Sequence, residues 1–217
     1  MRGIGFLARL RRNTSGVAML EFGLTLPLFL GFLLAGIEMG NYVMANNRTQ
    51  RLAAMTADLV AQSGAGSIGA TESQIYDLFS AIDLTAQPFD LRRHGRVVIT
   101  AVKGTDQNSD RIIENRIMWQ RFDGDYVAAH PVLGCHQTMP LATLPGNRQL
   151  SLDELMFHVQ VTYQYQPVFS QVPFEMFDVP GDFTRYAMFR ARSNQFQSPT
   201  PESGYPAKSK CNSINGL

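Results

Sequence analysis

Chemistry-bearing motifs are scarce in this chain. It has no phosphate loop, no nucleophile elbow and no paired-carboxylate pattern. No catalytic residue, cofactor or small-molecule substrate is therefore expected. Cysteines number only two, Cys135 and Cys211. Neither C-x2-C nor H-x3-H spacing occurs, which leaves His130, Cys135 and His136 without the pattern of a zinc site. An excess of one charge is also missing. The 19 Lys and Arg against 18 Asp and Glu give a formal net charge of +1, whereas a general nucleic-acid binder carries a basic excess. The hydrophobic share, 45%, is ordinary, so the chain is not a polytopic membrane protein. Its 217 residues allow one domain with additions and a sizeable core.

The charge that is present is unevenly placed. Arg2, Arg9, Arg11 and Arg12 crowd the first twelve residues, which hold no acid. From Phe22 to Ile37 there is no charged residue at all. As a helix those residues span about 24 Å, and the flanks Val17–Leu20 and Met39–Met44 carry the run past the roughly 30 Å needed to cross a bilayer core. Arginines precede the run, while Glu38, Asn41, Asn46 and Asn47 follow its core. The excess of positive charge predicts a cytoplasmic N-terminus, with the chain after about residue 45 outside. A secretory signal peptide is the competing reading, and Arg11-Arg12 suggests a twin-arginine variant of it. The apolar run is longer than a signal core, and no convincing A-x-A site follows it.

Glu21 is the misfit. An ionised carboxylate in lipid costs several kcal/mol unless it is paired. An amine at residue 17 would partner it, and cutting the chain after Gly16 would create that amine.

The stretch SGVAMLEF around these residues, with GLTLPLFLGFLLAGIEMGNYVMANN after it, resembles type IV pilins and pseudopilins, and more closely the TadE/TadF-type pseudopilins of the Flp, or tight-adherence, pilus system. A basic leader ends in Gly16, four residues follow, and Glu21-Phe22 closes the motif. Pro27 within the apolar helix and the acid-x-Gly of Glu38–Gly40 are similar too. The resemblance covers roughly residues 9–62. It implies that a membrane prepilin peptidase cleaves between Gly16 and Val17, and that Glu21, the fifth mature residue, pairs with the N-terminal amine of a neighbouring subunit and sets register. It implies further partners: other pseudopilins or pilin, pilus platform proteins and the bacterial inner membrane, with a structural and non-enzymatic role on its periplasmic side. The alternative is a single-pass anchored periplasmic binding module unrelated to pili.

The organisation expected is a leader at 1–16, a transmembrane helix at 17–44, a periplasmic stem extension at 45–62, a head at 63–194 and an irregular tail at 195–217. No Pro or Gly interrupts 45–62, where Leu52, Met55 and Leu59 repeat at helical spacing. Three glycines in Ser63–Ala70 then break the helix. A second helix fits Glu72–Ile82, capped by Thr71 and Gln74, with Ile75, Leu78, Phe79 and Ile82 on one stripe. Strands fit Arg96–Val102, Arg111–Phe122, Leu155–Tyr165 and Thr184–Arg192. In the third, Leu155, Phe157, Val159, Val161, Tyr163 and Tyr165 alternate with Met156, His158, Gln160, Thr162 and Gln164, which predicts one buried side. The fold class expected is α+β: a long N-terminal helix, membrane-spanning in its first half, and a head with a short helix and an antiparallel sheet of about four strands.

Four features remain. Asp106-x-Asn108-x-Asp110 looks like the start of a calcium loop. Arg111 stands where its glycine belongs and Ile117 where its closing glutamate belongs, so a polar turn is expected. His94 and His158 are expected as a surface and a strand-face residue. Cys135 and Cys211 can close one disulfide outside the cytoplasm or stand as unrelated thiols. The aromatic loop Val168–Phe183 carries Phe169, Phe174 and Phe177, which either cap the core or form a contact surface for another subunit or the membrane.

Overall fold

The computed structural model describes residues 15–62, 71–109, 111–169, 174–175, 178–192 and 198–217. The basic leader, the glycine-rich break at 63–70, Asp110 and Phe177 lie outside the described residues.

Helix α1 is one element, Ser15–Gln62, of 48 residues, about 72 Å long at 1.5 Å per residue. Its first half projects bare, and its apolar side chains from Val17 to Ile37 are largely exposed. Its second half is a core helix. Ala45, Leu52, Ala53, Ala57, Val60 and Ala61 are buried in the head. Four of those six are alanines, which add little side-chain bulk between helix and sheet. Pro27 sits in the bare half, where its missing N–H costs the Gly23 carbonyl its partner.

Helix α2, Glu72–Ala86, starts at a complete capping box. The Thr71 hydroxyl accepts from the Gln74 N–H at 3.4 Å, and the Gln74 side chain accepts from the Thr71 N–H at 3.1 Å. It runs four residues past the expected end at Ile82, and Ala86 joins its buried stripe of Ile75, Phe79 and Ile82. Helix α3, Leu91–His94, is a single turn capped by Asp90.

The head sheet has four strands, β1 Gly95–Thr105, β2 Glu114–Asp123, β3 Leu155–Gln164 and β4 Asp182–Arg190, in the order β2-β1-β3-β4. Every neighbouring pair is antiparallel, so the fold is α+β as expected. The return strand begins at Glu114 rather than Arg111, because Arg111 adopts a φ of +68° and its N–H donates to Asp106 Oδ2 at 3.1 Å. The Asp106 carboxylate thus closes a turn. A bulge in β2 skips Met118, so that Ala101 faces Trp119 and Val102 faces Ile117.

One sheet face packs on α1 and α2 through Val97, Ile99, Ala101, Trp119, Phe157, Val159, Val161 and Phe183. The other face departs from expectation. Met156, His158, Gln160 and Thr162 are buried as well, and of that set only Gln164 is exposed. The segment 124–151 and the end of the tail around Cys211 cover it, while Thr200 and Pro206, earlier in the tail, accept hydrogen bonds from Glu72 and Tyr76 of α2. Leu133, Ala142, Leu144 and Leu150 pack on Val102, Ile117 and Met156. Two glutamines bracket the covering loop by its backbone. Gln160 accepts from Val132 N–H at 2.7 Å and donates to His130 O at 2.9 Å. Gln120 accepts from His136 N–H at 2.7 Å and donates to Gly134 O at 2.9 Å.

The tail is held by Phe122 N–H donating to Lys208 O at 2.8 Å, by a buried Lys208–Asp123 ion pair and by a Cys135–Cys211 disulfide. Arg96, fully buried, donates to Cys211 O at 2.6 Å and to Ser213 O at 3.2 Å. Gly216 has a φ of +73°, and a Cβ there would meet Lys208 O at 2.6 Å. Only glycine fits that close approach.

His158 sits in this second layer, 1% exposed, stacked on Tyr186 at 5.3 Å. Its Nε2 has no partner among the described residues. Burial pushes its pKa down from 6.5 to about 4. The folded chain then refuses a proton that the unfolded chain takes near pH 6.5. Stability is intact above that pH and is lost as pH falls towards 4, by about 3 kcal/mol for the full shift. Urea midpoints measured between pH 7.5 and 4.5 should fall more steeply for the native chain than for His158→Phe. Parallel slopes would contradict this.

Candidate functional site

Two places on α1 concentrate the residues singled out from the sequence. The first is its inner end. Gly16 is helical, and a Cβ built on it meets nothing within 4 Å. Val17, Met19, Leu20, Glu21 and Phe22 are all exposed around it. Val17 and Glu21 stand one turn apart on the same side of the helix, the i, i+4 relation that brings two side chains together. Thr25 leans on the same turn, its hydroxyl donating to Glu21 O at 2.9 Å.

The second place is where the head meets the stem. Glu38 is 2% exposed, although it closes the apolar run. Tyr165 OH donates to its Oε1 at 2.6 Å. The Val168 N–H reaches both oxygens at 3.1 Å, and the Phe169 N–H donates to Oε2 at 2.8 Å. Three donors and no acceptor suit a carboxylate, since charge-assisted bonds offset the cost of burying it. The Tyr165 hydroxyl is pushed up by burial and by the bond to Glu38 and its charge, so it keeps the proton it donates. One turn further along, Tyr42 packs between Tyr165, Phe174 and Phe183 with ring centroids 5.2–5.5 Å apart. Its hydroxyl donates to Pro180 O at 3.0 Å.

The aromatic loop residues are separated by this arrangement. Phe174, 7% exposed, belongs to the core, while Phe169 stays 52% exposed. Glu38 and Glu21 are 17 residues apart on one helix, about 26 Å, so they form two sites rather than one. The cysteine pair lies on the opposite face of the sheet, in contact with Val98 and Phe122. His130 and His136 serve the glutamine brackets through their backbone. Among the described residues no cluster of three or more His, Cys, Asp or Glu is placed to hold a metal ion.

Sequence reasoning marked Glu38 but not its partners. Tyr165 and Val168 lie about 130 residues downstream, and no local periodicity connects them to an acid on the stem. The available signal was an acid with glycine two residues on, at the end of an uncharged run.

Over residues 16–58 the chain matches the model of a family described as TadE-like protein. The matched stretch lies wholly within α1, begins at Gly16 and includes both Glu21 and Glu38. No curated protein and no solved structure matches the chain.

Proposed function

From a stem that is TadE-like over residues 16–58, we propose that this protein is a membrane-anchored, pseudopilin-like component of a Flp/tight-adherence pilus assembly system. A prepilin peptidase cuts it between Gly16 and Val17. The observation that carries the reading is the bare inner half of α1. It is long and apolar enough to cross a membrane, buries nothing in its own head, and carries a single carboxylate one turn from the cut.

Cleavage gives Val17 a free amine on the side of the helix that holds Glu21. In a low-dielectric surrounding, that amine and a carboxylate attract far more strongly than in water. Both charges must also leave water, so the pair fixes register between neighbouring stems more than it adds stability. The amine can serve its own Glu21 or that of the next subunit. The leader's arginines support a cytoplasmic N-terminus. The Cys135–Cys211 disulfide supports a head in an oxidising compartment, the periplasm. The head supplies shape rather than catalysis, and its neighbours are other pseudopilins or pilin and the platform.

Co-expression with a prepilin peptidase, followed by sequencing of the mature N-terminus, tests this. A product starting at Val17 is expected. An uncut Met1 form, or a cut near residue 37, would remove the reading's main support. Gly16→Ala, or the bulkier Gly16→Val, should block the cut. Because a Cβ at residue 16 meets nothing in this chain, that block would report on the peptidase's grip and not on folding.

A further inference from the structure

We infer that Val168 and Phe169 form a lipid-facing foot of the head, seated in the outer interface of the bilayer and clamped there by Glu38. The inference rests on the membrane-anchored reading of α1 and places the boundary of its span. Residues 17–37 number twenty-one, about 31 Å of helix, which already matches a hydrocarbon core of about 30 Å. Glu38 therefore falls at the edge of the hydrocarbon. A span reaching Met44 would instead draw this carboxylate about 9 Å inward, together with Tyr165 and the loop bonded to it.

The clamp fixes where the loop lies. Glu38 holds the backbone N–H groups of Val168 and Phe169 at 2.8–3.1 Å, so these two residues sit at the height of the carboxylate. Their side chains point away from the core, 66% and 52% exposed. No charged residue occurs from Tyr165 to Phe169. On the stem, Leu34 stands one turn before Glu38, on the same side of the helix, and is exposed. Val168 and Phe169 thus continue the stem's bare apolar surface sideways, onto the underside of the head. An apolar pair beside a membrane-spanning helix, at the level where hydrocarbon gives way to headgroups, is matched by acyl chains near their carbonyl ends. The carboxylate and the tyrosine behind it stay shielded by the head.

Nitroxide quenching reads the depth. The full chain is reconstituted in phosphatidylcholine–phosphatidylglycerol vesicles, with one cysteine added for an environment-sensitive fluorophore. The native cysteines, joined to each other, do not compete for the label. With label at Phe169→Cys, emission should be lost to a nitroxide near the acyl carbonyl more than to one at the chain end. At Phe29→Cys, in the middle of the span, the order should reverse. At Ile214→Cys, exposed on the tail, neither should quench. A label at 169 that behaves like the one at 214, while position 29 is quenched, overturns the foot and leaves the anchor standing. If position 29 also escapes quenching, the anchored reading fails first. Glu38→Ala removes both oxygens that accept from the Val168 and Phe169 N–H groups. Quenching at 169 should then fall while that at 29 holds. Unchanged quenching at 169 overturns the clamp.

Discussion

Replacing Cys135 and Cys211 with serine is expected to lower the unfolding free energy by about 4 kcal/mol. The bridge closes a loop of 76 residues, and the chain-entropy relation for a loop of that length gives a figure of this size. The loss would be felt in one layer. Cys211 packs with Val98 and Phe122, and its carbonyl accepts the shorter of Arg96's two bonds to the tail. A loosened tail leaves a fully buried guanidinium short of acceptors and uncovers Val98 and Phe122 on the sheet's second face. Trp119, the sole tryptophan, is buried in the opposite layer and reports whether the sheet unfolds with the tail. Urea titration of the full chain in micelles, with and without reductant, gives the measurement. The native chain should lose stability on reduction, and the double serine variant should be low in both conditions. A native chain indifferent to reductant would sink the expectation.

Arg121→Met should be about as damaging, at about 3–5 kcal/mol. Arg121 Nε donates to both oxygens of Glu72, at 3.2 and 3.0 Å, and Nη2 also bonds Oε1. The two side chains are 9% and 2% exposed. The guanidinium also lies over Trp119 and donates to Gln120 O at 2.8 Å. Removing it strands a carboxylate in the interior. The start of α2 offers that charge only partial compensation. Arg121→Met combined with Glu72→Met should regain most of the loss, because an apolar pair carries no desolvation cost. A double-mutant cycle on the same titration decides it. A double variant as unstable as the single one would contradict the account.

Local pattern accounts for what could be read from the sequence. The stem, the capped second helix and the four strands each carry a periodicity or a cap that is a property of neighbouring residues. The second face of the sheet could not be read in the same way. Gln120, Gln160 and Thr162 are polar, and polar alternation normally marks a wet face. Here the amides are buried because each finds backbone partners in a loop that the sequence shows only as irregular. Tail residues 198–217 lack regular strands or long helices, yet Lys208 and Cys211 are buried. Irregular chain and loosely held chain are different properties, and composition reports only the first. At the candidate site, the spacing of Gly16, Val17 and Glu21 is legible because it is local, and the roles proposed for them rest on the sequencing of the mature N-terminus. Glu38 was legible only as an oddity, since the groups that satisfy it are brought in by the fold.

The stem carries one further consequence. Helix α1 passes from its bare half into the core of the head without a break, so the two halves share a single helical phase. Each residue turns the helix by about 100° and raises it by 1.5 Å. The compass bearing of the sheet around the bilayer normal is therefore set by a count of residues. One residue added between Leu30 and Ile37 would swing the head by more than a quarter turn relative to whatever grips the membrane half, while lifting it barely at all. In an assembly of packed stems, the same number that fits the span to the bilayer also decides which side of each head meets its neighbour.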